Sequence, residues 1–127
     1  MRRTDQRRAA VVALYQADLN RREARELLDP TARTFTRELV QGVEHWREEI
    51  DELLERHAFG WTLDRIAPLE RNILRVALFE VLHRSDVPAE VAIDEAIETA
   101  GELCGADAPG FLNGILGAIH RERASSV

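Results

Sequence analysis

The chain has 127 residues, a formal net charge of −6 and one cysteine. That length predicts a single domain over 1–127 that buries roughly two-thirds of the surface it exposes when unfolded, with no need of covalent staples. One cysteine closes no internal disulfide, no paired Cys/His spacing suggests zinc, and no apolar run reaches signal-peptide or transmembrane length, so a soluble protein of the reduced cytoplasm, with no membrane partner, is expected.

The charge is unevenly spread. Residues 1–8 hold Arg2, Arg3, Arg7 and Arg8 against Asp5, a local charge of +3 that leaves −9 for the remainder. All 17 cationic side chains are arginine, whose planar fork matches phosphate oxygens. A basic arm on an acidic body predicts local anion binding; a frayed, solvated terminus is the alternative.

In chain order, Thr4 or Asp5 can cap a first helix reaching about Asn20, with Val11, Val12, Tyr15 and Leu19 on its inner face. Arg7 and Arg8 in its first turn oppose the helix dipole, a local rule broken as functional residues often break one. Residues 21–28 read as a short helix or a loop. Asp29 and Pro30 then form a start signal for one long helix to about Ala58. Its stripe is Phe35, Leu39, Val43, Trp46, Ile50, Leu53 and His57, and its opposite face is acidic. Gly60 ends it, and Thr62 caps a short turn.

Residues 68–83, PLERNILRVALFEVLH, carry apolar side chains on every side of a helical wheel, which requires burial. A central helix surrounded by others is therefore predicted. Arg71, Asn72, Arg75 and His83 gather in one sector, facing water or a partner; Glu70 and Glu80 fall among apolar neighbours and need hydrogen-bonding or ionic partners. Pro88 starts a helix bearing Val91, Ile93, Ala96, Ile97, Ala100 and Leu103, and Pro109 opens a last one bearing Phe111, Leu112, Ile115, Leu116 and Ile119. Residues 121–127 read as a disordered polar tail. With no sustained alternation, the fold class is all-α, a helical bundle without internal repeat.

No catalytic constellation emerges. His45, His57, His83 and His120 are dispersed, Cys104 lies where a helix dipole opposes a thiolate, and no phosphate-binding glycine loop is present. Asp94 and Glu98 share a helix face, but two carboxylates make a weak cation site. No enzyme, metal site or cofactor is expected.

The segments AAVVALYQADL, FTRELVQGV, ERNILRVALFEV, SDVPAEVAIDEAIETA and GFLNGILGAI, in this order, resemble the NusB family of bacterial transcription antitermination factors over nearly the whole chain. The resemblance implies an all-helical bundle around one central helix. It also implies binding of boxA, a short single-stranded RNA element of ribosomal transcripts. That binding is shared with NusE, a small-subunit ribosomal protein, in an RNA polymerase antitermination complex with other Nus factors. Carried onto this chain, the family's arginine-rich motif matches Arg2, Arg3, Arg7 and Arg8, and its RNA-side aromatic matches Phe111, which otherwise reads as a core residue. NusE contacts match Tyr15 and Glu70, which would give Glu70 a cation on another chain. The family includes monomers and homodimers, so a homodimer is among the states implied. Asp5, Thr4 and Gln6 dilute the arm relative to the family's denser cluster, so RNA affinity should lean on the partner. The rival expectation is a helical protein-interaction module without intrinsic RNA binding.

Overall fold

A computed structural model describes residues 2–58 and 60–125. Its elements are α1 (Arg3–Asn20), α2 (Ala24–Leu27), α3 (Thr34–His45), α4 (Arg47–His57), a 3-10 turn (Leu63–Arg65), α5 (Pro68–His83), α6 (Ala89–Leu103) and α7 (Ala108–Ser125). Among the described residues there is no strand, in accord with the predicted all-α bundle.

The all-round apolar helix is where its pattern requires it to be. Pro68 opens α5 with φ already preset, and every residue from Asn72 to Glu80 is buried. It packs against α1, α3, α4, α6 and α7. Leu74 and Leu78 are essentially inaccessible, and full burial of such a side chain contributes about 1.5–3 kcal/mol. Ala10, Ala13 and Ala17 on α1 and Ala92, Ala96 and Ala100 on α6 are buried, so small side chains let neighbouring helices approach closely. α1 runs antiparallel to α5: Arg7 meets Glu80 at one end, and Asp18 meets Arg71 and Asn72 at the other.

Several local expectations change. No side chain caps α1; Thr4 is spent elsewhere, donating to Glu95 at 3.0 Å. Asp29 and Pro30 do not open a helix, because the Asp29 carboxylate accepts the Thr31 N–H at 2.7 Å and closes a separate turn, so α3 begins at Thr34. The long rod is broken at Trp46, whose φ of −102° and ψ of 18° leave the helical region. The break turns α4, so that Leu54 joins the predicted Ile50 in full burial, while the predicted Leu53 packs against the core partly buried. Trp46 leaves the stripe and stacks on His83 at 4.0 Å between ring centroids.

The predicted tail is also corrected. Residues 121–125 continue α7, where Glu122 pairs with His57 of α4 and Ser125 donates to the Glu122 carbonyl at 3.0 Å. Ser126 and Val127 lie outside the described residues, as does Met1 of the arm. The sector of Arg71, Asn72 and Arg75 faces inward rather than toward water. Asp18 accepts from all three, and Arg75 also forks onto Asp51 at 2.8 and 3.0 Å. Burial pushes the Asp18 carboxyl up, but the hydrogen bond from Asn72 and the charges of Arg75 and Arg71 outweigh it and hold the group below its usual range.

Candidate nucleic-acid interface

The four arm arginines belong to α1 and its N-terminal flank, and helical geometry aims them differently. Arg2 flanks the first turn with its side chain 83% exposed, 3.9 Å from Asp5. Arg3 is 47% exposed, lies 3.3 Å from Asp86 and covers the Phe35 ring at 4.2 Å. Arg8 is 27% exposed and pairs with Glu102 of α6 at 2.5 Å.

Arg7 departs from the arm expectation, in which all four cations face an anion from outside. Its side chain is 8% exposed and makes a two-pronged bond to Glu80, Nε to Oε1 at 2.7 Å and Nη2 to Oε2 at 2.9 Å. It sits about 100° around the helix from Arg8, which turns one arginine into the core and the next toward the rim. Glu80, which required a partner on sequence grounds, finds it inside its own chain.

Glu70 does not. It is half-buried in the first turn of α5, and among the described residues no ion pair reaches it. It lines a groove of about 390 Å³ with Trp61, Arg65, Ala67, Asp107 and Phe111. Phe111, half-buried, meets the exposed Trp61 edge-on at 6.4 Å. The residue expected on the RNA side and one expected on the NusE side thus share a groove. The arm pairs near Glu80 instead, which at 1.5 Å per residue lies roughly 15 Å along α5 from Glu70. Tyr15 is half-buried one turn before Asp18 on α1, the helix that crosses the Glu70 end of α5.

Two contributors lie outside the predicted site residues. Trp61, just past the end of α4, is 51% exposed beside Phe111. Glu95, Glu98 and Glu102 form an acidic face on α6 under the arm; their spacing of three and four would have revealed the face, though not what it meets. Burial and the nearby Glu70 carboxylate push the Cys104 thiol up, away from nucleophilic character. No helix among the described residues is long and apolar enough to cross a membrane, and no group of three potential metal ligands occurs among them.

The NusB family model matches residues 4–121. The transcription antitermination protein NusB of Myxococcus xanthus is 40% identical over 91% of this chain and 91% of its own length. The solved structure of T. maritima NusB matches with a TM-score of 0.86 at 35% identity, covering 96% of this chain and 92% of that one. A chain from the crystal structure of the antitermination factors NusB and NusE in complex with dsRNA matches with a TM-score of 0.82 at 25% identity, covering 96% and 99%. A family model spanning almost the whole sequence, a relative matched nearly end to end and the same bundle around α5 agree: the chain belongs to the NusB family.

Proposed function

We propose that this chain is a transcription antitermination factor that binds boxA-type single-stranded RNA together with NusE and joins other Nus factors to keep RNA polymerase elongating in the bacterial cytoplasm. The observation that carries the proposal is its bundle, matched over 96% of the chain by a structure in which NusB, NusE and RNA occur together. Arg2, Arg3 and Arg8 hold phosphates, and Phe111, with Trp61 beside it, receives a base. Tyr15 and Glu70 face NusE, where a cation compensates the Glu70 carboxylate. Arg7 has no RNA role here, since it is committed to Glu80 in the interior. Binding alone performs this task, without a chemical step or cofactor.

The test is a titration of labelled boxA-like RNA against a scrambled strand, with and without NusE. Preference for boxA, strengthened by NusE, is expected. Replacing Arg2, Arg3 and Arg8 by Ala should flatten the plot of log affinity against log salt by up to ~2 units, since each phosphate neutralised on a single strand contributes about 0.7. Glu70→Lys should weaken NusE association with the fold intact. Equal, weak binding to both strands under both conditions would leave the protein-interaction module as the better account.

A further inference from the structure

Each arginine of the arm already has a carboxylate: Asp5 for Arg2, Asp86 for Arg3, Glu80 for Arg7 and Glu102 for Arg8. These pairs are of two kinds. Arg7 and Glu80 match two donors to two acceptors out of water, as a structural clamp does. Arg8 and Glu102 meet at a half-open rim, Nη1 to Oε2 at 2.5 Å, with 27% and 48% of their side chains exposed. The Arg8 Nε is buried without a hydrogen-bond partner. An unmatched buried donor is costly, so this contact is an incomplete one that a better acceptor improves. Glu98 adds to the negative potential at Arg8 from the same helix face. A phosphate carries more acceptor oxygens than the Glu102 carboxylate and, approaching from the open side of the rim, can take two prongs of the fork.

We propose that the acidic face of α6 acts as an internal phosphate surrogate, with Glu102 holding Arg8 in an autoinhibitory contact that RNA must displace. The proposal rests on the assignment of RNA binding to the arm made above, and adds that the arm is gated by its own fold. In free protein Arg8 is neutralised, which suppresses attraction to RNA at large. A strand positioned elsewhere on the protein then delivers its phosphate at high local concentration and exchanges with the carboxylate. The contact thereby favours correctly placed RNA over diffuse binding.

A double-mutant cycle tests this with the full-length chain and boxA-like RNA. Glu102→Gln keeps shape and hydrogen bonding but removes the competing charge. It should raise affinity about two- to fivefold, the range expected for a partly exposed ion pair. The same substitution in an Arg8→Gln background should change affinity little, because no cation remains to be released. Oligouridylate provides a second probe, on which Glu102→Gln should give at least as large a gain, since unpositioned RNA lacks help in displacing the carboxylate. An equal gain with and without Arg8 would mean that Glu102 merely repels RNA at a distance, and would overturn the proposal. No gain in either background would overturn it as well. If neither the wild-type chain nor Glu102→Gln binds either RNA, the proposal is overturned together with the RNA role of the arm. Failure of the proposed function alone looks different: the cycle holds on oligouridylate while boxA shows no preference over the scrambled strand.

Discussion

Removing Glu80 or Arg7 singly should destabilise the protein far more than any other change in the basic segment. Both side chains are nearly inaccessible, 1% and 8% exposed, and they exchange two short charge-assisted bonds at 2.7 and 2.9 Å. Breaking such a pair from one side leaves an uncompensated buried charge, at about 3–5 kcal/mol. Glu95, with Oε1 3.9 Å from Arg7 Nη1, softens the loss of Glu80, so Glu80→Ala should fall near the lower end, about 3 kcal/mol. For a domain of this size that is a fall of roughly 10–15 °C in Tm. Arg7→Met combined with Glu80→Leu removes both charges and retains volume, and should recover most of the loss. Thermal unfolding followed by far-UV circular dichroism measures all three variants. A Tm for Arg7→Ala within about 2 °C of wild type, as expected for a solvated surface pair, would refute the structural role and return Arg7 to the arm.

Acid stability should report on Asp18. Its folded pKa lies below the unfolded value, so its contribution is complete above about pH 4 and is lost as pH falls through the folded value. Asp18→Asn should therefore lower stability at neutral pH and reduce the pH dependence below about 4; urea midpoints that run parallel to wild type through that range would contradict the assignment. Gly42 is set by a close approach rather than by backbone freedom, because a Cβ there would lie 2.1 Å from Cζ of the Phe79 ring. Gly42→Ala should destabilise by about 1–3 kcal/mol despite better helix propensity, and by less in a Phe79→Leu background; additive effects in chemical denaturation would show the contact to be unimportant.

The residues of α5 were legible because a helix apolar on all sides has only one place to go, and its observed bounds, Pro68–His83, are those its proline and loop residues imply. Helical class follows from the absence of alternation, and the family resemblance is carried by motifs that stand in order along the chain. Periodicity, however, says which side chains share a face and nothing about what that face meets. Arg7 and Arg8 are chemically identical neighbours, and only the packing of α1 across α5 and α6 makes one a core residue and the other a rim cation. The same holds for Glu70 and Glu80: both needed partners on sequence grounds, yet only Glu80 lies opposite an α1 cation. Trp46 kept the stripe's spacing and still left it, because stacking on His83 depends on where α5 ends. Local chemistry along one chain determined the elements and the central helix; which charges neutralise one another was decided only when distant helices came within about 3 Å, where the geometry of each pair sets its energy.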